Sequence, residues 1–354
     1  MAFLHFNHVG ITAMAGCVPK QVIDNYHYAL DLFPEEDVRK LVDKIGIHER
    51  RFADENTCVS DLCLAAAERL LADNDIDRSE IDLLVLATHS PDYKVPATSI
   101  LLQHRMGLPT TTIAFDVNLG CSGFLYGMGI VYAMMEGRGL RKALLLAGET
   151  CGSKMFSRKD RTSAYIFGDA GVAALITCDT KFGESWFSLN SDGSGSDFIM
   201  IPAGGFRHPS SLATIEEKVV DEHGNIRSDE HAYMKGADVF SFVLEWIPKD
   251  FARLAEWSGQ DLHKLDYYAF HQANSLINGL LVKKLKLDSA RVPVNIHKFG
   301  NTSSASMPLV IVSELKDKLQ GEKRLLLSAF GTGMSWGTAV VPFVDCKISE
   351  LVEL

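Results

Sequence analysis

The chain carries one supersecondary pattern twice, and that repeat restricts its fold more than any single motif does. In the first half, Asp82-Leu-Leu-Val-Leu-Ala-Thr88 is a short, continuous apolar run, as expected of a strand buried on both faces. Phe115-Asp-Val-Asn-Leu-Gly-Cys121-Ser-Gly predicts a strand turning into a helix that runs towards Met135, and Ala143-Leu-Leu-Leu-Ala-Gly148 predicts another buried strand. In the second half, Asp266-Tyr-Tyr-Ala-Phe-His271 takes the place of the first strand. Gly300-Asn301-Thr-Ser-Ser then opens a predicted amphipathic helix to about Leu319, and Arg324-Leu-Leu-Leu-Ser-Ala-Phe-Gly331 supplies the following strand. Each half closes with a Gly-rich turn into a strand, at Gly168–Thr177 and Gly331–Val341. The expectation is an α/β protein of two similar halves, with helices on both faces of a mainly parallel sheet. The repeat sets Cys121 and Asn301 at equivalent helix N-termini.

Apolar residues make up 47% of the 354 and charged residues 23%, which suits a sizeable core. A net charge of −10 argues against broad nucleic-acid binding, which needs a basic face. Seven cysteines are scattered without metal-ligand or Cys-x-x-Cys spacing, so neither a disulfide framework nor a metal centre is expected. The start of the chain has no charged segment leading into an apolar run, and the apolar runs are too short to span a bilayer. A cytoplasmic protein without membrane association is the simplest expectation. Ser191 to about His231 is rich in Gly, Ser and charge and reads as a surface excursion with a hairpin or two, Glu216–Glu230 being a solvated face.

Three residues stand where chemistry is performed. Cys121 sits at a strand-to-helix turn, where a thiolate is favoured and free backbone N–H groups can hold an oxyanion. His271 ends a buried strand, the usual meeting place of ligand and open sheet. Asn301 begins the matching helix. Taken singly, each has a plain structural use: a small buried hydrophobe, a core histidine, an N-cap.

Several ordered motifs make the set more specific: Gly46-Ile-His-Glu-Arg50, Phe115–Phe124, Ile166-Phe-Gly-Asp-Ala-Gly171, Met234–Phe240, His271-Gln-Ala-Asn274, Gly300-Asn-Thr-Ser303 and Ala329-Phe-Gly-Thr-Gly333. With these the chain resembles, over nearly its whole length, the β-ketoacyl-acyl-carrier-protein synthase III family of condensing enzymes. The resemblance implies a thiolase-like fold, two duplicated α/β halves packed as an α-β-α-β-α layered structure. The halves are expected at 1–178, carrying the nucleophile, and 179–354, carrying His and Asn, with the insertion at about 191–231. It also implies an acyl-cysteine on Cys121 and a decarboxylating condensation with malonyl-acyl carrier protein assisted by His271 and Asn301. The backbone N–H groups of Cys121 and Thr332 are implied as the oxyanion hole. Lys40, Lys44, Arg161, Asn274 and Phe330 are implied at the coenzyme A or substrate site, and Val95 and Phe124 beside the acyl group. Acyl-CoA and the carrier protein are the implied substrates, a homodimer the implied assembly, and no cofactor or metal is called for.

The chain departs from the family pattern at four places. Lys40 and Lys44 replace a Trp and an Arg near the Gly-Ile-x-Glu-Arg motif, which removes adenine stacking but keeps positive charge. Leu276 replaces a carrier-docking Arg, leaving Lys283 and Lys284 on the same helix as the basic face expected to meet an acidic partner. Val95, before Pro96, replaces an aromatic, so a primer longer or more branched than acetyl is expected. The surface excursion is longer than usual and is expected to cover the acyl tunnel. Among rival readings, Gly333-Met-Ser335-Trp-Gly337 matches a nucleophile elbow, yet an apolar strand follows and no His lies beyond His297, which excludes a serine hydrolase. A metal or redox protein lacks ligand spacing, and a non-catalytic scaffold is at odds with a complete Cys-His-Asn set. The alternative within the family is an acyltransferase or condensing enzyme of specialised metabolism with another donor or acceptor.

Overall fold

The computed structural model describes residues 2–354. Its strands show the repeat directly. In the first half the order across the sheet is Ile113–Val117, Leu83–Ala87, Lys142–Glu149, Ala170–Cys178, Val9–Val18; the first three run parallel and the next two pairings are antiparallel. In the second half Tyr267–Phe270, Glu322–Gly331, Ser335–Ile348 and Glu184–Ser191 follow in the same order and sense, without the outermost strand. The sheets are therefore mixed, which corrects the expectation of a mainly parallel one. The physical reason is visible at Thr332–Met334: three residues join Glu322–Gly331 to Ser335–Ile348, and so short a link permits only an antiparallel pair.

Two helices, Gly123–Met135 and Ser306–Glu314, fill the space between the sheets. Their Phe124, Leu125, Leu309 and Val310 share one core with Ile11, Val85 and Leu145 of the first sheet and Leu325, Leu327 and Val341 of the second. The second helix is buried on nearly every side and stops at Glu314, so it is neither amphipathic nor as long as the sequence suggested. Its inner position, invisible locally, requires an apolar surface all round. Along Leu83–Ala87 the odd residues face this inner core, while Leu84 and Leu86 face the outer helix Val59–Asp73 through Leu62, Ala66 and Leu70. That double burial is why the strand reads as a continuous apolar run. On the far side, Gly236–Ser258 and Ser275–Lys284 cover the second sheet, with Phe251 and Leu254 on Tyr268, Leu326 and Val340. The result is five layers, α-β-α-β-α, the thiolase fold.

The chain ends cross between the halves. Ala2–Asn7 adds an antiparallel strand to Glu184–Ser191, while Val352–Glu353 pairs with Val9–Val18. The end of the long Ser335–Ile348 strand also pairs with Val9–Val18, joining the two sheets. A cut at 178/179 thus leaves both terminal strands in the opposite half. The excursion contains one hairpin, Lys218–Val219 with Ile226–Arg227, and a short pairing of Ile199–Met200 with Tyr233–Met234. Lys218 pairs with Asp229 and Lys159 with Glu217 on its exposed side. Among the described residues no helix is long and apolar enough to cross a membrane.

Candidate active site

The strand ends and helix entrances of the two halves converge on one cavity of about 540 Å³. Cys121, His271, Asn301, Asn274, Phe330 and Thr332 all line it. Residues 150 apart in sequence meet here because the duplicated sheets place equivalent turns at the same end of the molecule.

Cys121 precedes the central helix Gly123–Met135 and is 8% exposed. Burial pushes its thiol up to about 12, so the sulfur is protonated near neutrality. Its hydrogen bond goes to Ser303 Oγ at 3.7 Å. The Gly331 backbone lies against it, and a Cβ there would come within 2.5 Å of the Cys121 Cβ. Only glycine permits this approach, which brings the following residue, Thr332, beside the cysteine. Cys151 is a second buried thiol on the cavity wall, but it hydrogen-bonds the Gly168 carbonyl at 3.7 Å.

His271 follows Tyr267–Phe270 directly and meets the Phe330 ring edge-on, centroids 5.3 Å apart. Desolvation lowers the imidazole to about 3, and its buried Nδ1 has no hydrogen-bond partner. A neutral ring is the consequence, with Nε2 left for a ligand. Asn301 Oδ1 accepts the Ser303 N–H at 2.9 Å, so the carbonyl end is engaged and the NH₂ end remains to donate. The capping use foreseen for Asn301 and a donor role are thus compatible, since they employ different atoms.

The neutral His271 has a consequence for stability. The free imidazole titrates near 6.5 and the folded one near 3. Between those values the unfolded chain binds a proton that the folded chain refuses, so this contribution to stability is present above 6.5 and is lost as pH falls towards 3. Asp169, raised by burial to about 6, works in the opposite sense over part of that range. We expect His271→Phe, which removes the titration, to gain stability relative to the wild type by up to about 1.4 kcal/mol per pH unit in this window. Urea unfolding at pH 7 and pH 5 measures the difference; an identical pH slope in both proteins would refute it.

The remaining expected residues divide. Lys44 and Arg161 stand on the cavity wall, Arg161 also lying over Phe33 at 5.4 Å and reaching the His223 carbonyl at 3.2 Å. Asn274 lines the wall while its side chain caps the helix Ser275–Lys284 by accepting from Ile277 N–H at 2.9 Å. Lys40 lies outside, exposed and paired with Glu36 one helical turn away at 2.6 Å. Phe124 is fully buried in the inter-sheet core rather than at the cavity, because its helix faces two sheets at once. Val95 is 82% exposed on the surface. Lys283 and Lys284 are exposed at the end of their helix, with Lys284 Nζ on the Leu244 carbonyl at 2.7 Å. Ile199, Met200 and Ile201 of the excursion supply part of the apolar wall.

Sequence reading missed His89, Asn118, Glu149 and Ser303, which also line the cavity. Glu149 was detectable in principle: a lone carboxylate ends the apolar run Ala143–Gly148, at the ligand-facing end of a strand. It is fully buried, accepts from the His89 N–H at 3.0 Å and from Ser90 Oγ at 2.7 Å, and burial raises its carboxyl above the usual range.

A duplicated five-layer fold with a buried cysteine at one helix entrance, and His and Asn supplied by the other half, defines an acyl-transferring enzyme of the thiolase fold. The family described as 3-oxoacyl-[acyl-carrier-protein (ACP)] synthase III matches residues 115–193, and its C-terminal counterpart matches residues 255–343. A β-ketoacyl-[acyl-carrier-protein] synthase III of Clostridioides difficile is 34% identical over 94% of this chain and 97% of its own. One from Desulfitobacterium hafniense strain Y51 is 32% identical over the same shares. The crystal structure of a 3-oxoacyl-(acyl-carrier protein) synthase from Burkholderia xenovorans superimposes with a TM-score of 0.92, at 35% identity and over 100% and 99% of the two chains. The chain belongs to the 3-oxoacyl-[acyl-carrier-protein] synthase III family.

Proposed function

We propose that the chain starts fatty-acid synthesis by condensing an acyl-CoA primer with malonyl-acyl carrier protein. The observation that carries this reading is the convergence of Cys121, His271 and Asn301 on one buried cavity in a chain of this family. Cys121 attacks the primer thioester; the new S–C bond forms as the coenzyme A thiolate leaves with the thiol's proton. The malonyl thioester then loses carbon dioxide, and the resulting enolate carbon attacks the acyl-cysteine, returning Cys121 and releasing β-ketoacyl carrier protein. An enolate oxygen demands donors that are not themselves acidic, and neutral His271 through Nε2 and Asn301 through its NH₂ fit that demand. The backbone N–H groups of Cys121 and Thr332 hold the other oxyanion; the tight Gly331 contact supports their proximity.

Lys44 and Arg161 on the wall suit the phosphates of coenzyme A, with Asn274 and Phe330 alongside the pantetheine and acyl group. Exposed Lys283 and Lys284 serve an acidic carrier protein. The chemistry runs on thioesters alone and requires no resident metal or cofactor. A cytoplasmic homodimer completes the proposal; exposed Tyr93 and Val95 support a subunit contact there, with small Val95 leaving room for a primer longer or more branched than acetyl. The named relatives favour fatty-acid synthesis over specialised metabolism.

The test is a panel of acyl-CoAs, acetyl to branched and medium chain, each supplied with malonyl-acyl carrier protein. Mass spectrometry should show β-ketoacyl carrier protein two carbons longer than the primer, highest for primers beyond acetyl. Failure of every pair would reject the condensation, whereas a strict acetyl preference would reject only the assignment of Val95.

A further inference from the structure

We propose that Glu149, acting through Ser303, receives the Cys121 proton during acylation. This rests on the acyl-cysteine reading above and adds to it the route by which the thiol becomes a nucleophile. Three observations point to it. The thiol is deeply buried and protonated, and its hydrogen bond goes to Ser303 Oγ at 3.7 Å, not to His271. Ser303 Oγ in turn reaches Glu149 Oε1 at 3.4 Å. The directions agree: S–H points to hydroxyl oxygen, and O–H points to carboxylate. Both links are long, as catalytic hydrogen bonds often are before substrate closes the site.

Glu149 suits the acceptor's role. It is fully buried, yet no lysine or arginine among the described residues pairs with it; the groups facing it are His89, Thr88, Ser90, Ser303 and the thiols Cys63, Cys121 and Cys151. Burial outweighs the opposing pull of His89 and the hydrogen bonds, so this dry carboxylate holds a proton more readily than one in water. The fold also fixes the relay. Ser303 sits at φ +51° in the short turn after Asn301, and Asn301 Oδ1 anchors its N–H. Gly120 opposite admits the serine closely, since a Cβ there would fall 2.8 Å from Ser303 Oγ. During acylation the thiol proton passes to Ser303 Oγ as the Ser303 proton passes to Glu149, while sulfur bonds to the acyl carbon and the coenzyme A thiolate departs. The proton returns by the same path to that thiolate, leaving acyl-cysteine, free coenzyme A thiol and ionised Glu149. Ser303 touches the reacting sulfur; Glu149 is a positioning residue that acts through it.

Electrostatics alone gives the opposite expectation, which makes the proposal testable. Removing a buried negative charge near Cys121 eases thiolate formation, so Glu149→Gln acylates as fast as wild type or faster if Glu149 only orders the loop. A relay slows it. Single-turnover acylation of the full-length protein by acyl-CoA, followed by intact-protein mass spectrometry, should fall at least about tenfold at pH 7 in Glu149→Gln. Ser303→Gly, which suits the positive φ, should fall similarly, and the double variant no further. The deficit should narrow as pH rises from about 7 towards about 10, because below about 12 the small fraction of thiol that ionises unaided grows about tenfold per pH unit; a structural defect would persist. Unchanged or faster acylation in both variants, or independent losses that multiply in the double variant, would overturn the relay while leaving the acyl-cysteine intact. Absence of any adduct on the wild type would overturn both.

Discussion

Replacing Cys121 by alanine should abolish the acyl adduct and lower condensation by at least about 10⁴-fold, the scale seen when a covalent nucleophile is removed. The mass of the protein after exposure to acyl-CoA reads the first effect directly, and β-ketoacyl product formation reads the second. The prediction is sharp because the cavity holds a second buried thiol. Cys151 lines the same wall, but its hydrogen bond ends on a backbone carbonyl, with no onward acceptor for a proton. Cys121 bonds a hydroxyl that itself contacts a carboxylate, and it adjoins the N-terminus of a 13-residue helix. Peptide mapping should therefore place the acyl group on Cys121, and Cys151→Ala should retain the adduct. An adduct surviving in Cys121→Ala would transfer the nucleophile to Cys151 and remove the basis for the Cys-His-Asn set.

The second large effect separates the two chemical steps. His271→Ala and Asn301→Ala should each depress condensation by about 10²–10³-fold, the usual result of losing an oxyanion donor, while acylation of Cys121 changes by only a few fold. The asymmetry arises because acylation needs the thiol and backbone donors, whereas decarboxylation creates an enolate beside His271 and Asn301. Carbon dioxide release from malonyl-acyl carrier protein isolates the affected step. Asn301 also anchors the Ser303 N–H through its carbonyl oxygen, so alanine there removes a turn contact as well as a donor. Asn301→Asp resolves this: it keeps an acceptor for Ser303 but replaces the NH₂ donor with a carboxylate oxygen. It should lose condensation as fully as the alanine variant. Equal loss of acylation and condensation in all three proteins would mean that these residues act on the cysteine instead.

Much of this architecture was legible before any coordinates, for identifiable reasons. Leu83–Ala87 and Ala143–Ala147 are buried on both faces, so their apolar runs announced central strands. Cys121 and Asn301 shared a strand–turn–helix context that marked them as a pair. The helix after Asn301 departs from the amphipathic expectation because an inner helix and an amphipathic one differ in what surrounds them, not in local propensity. The family resemblance implies a place for Phe124 beside the acyl group, but its helix faces both sheets and turns the ring into the inter-sheet core. Lys40, one turn before Lys44, faces away and pairs with Glu36.

The sequence by itself determined the duplication, because that is written in residue types at repeated local positions, and it nominated Cys121, His271 and Asn301 through ordered motifs that carry the family resemblance. Only the tertiary structure decided which further groups share the cavity. Glu149 and Ser303 are 154 residues apart, and nothing local relates them. They meet because the second half folds back onto the first and lays equivalent turns end to end. That juxtaposition also sets the electrostatics. Burial keeps Cys121 protonated and His271 neutral, and so makes the destination of one proton a question of geometry.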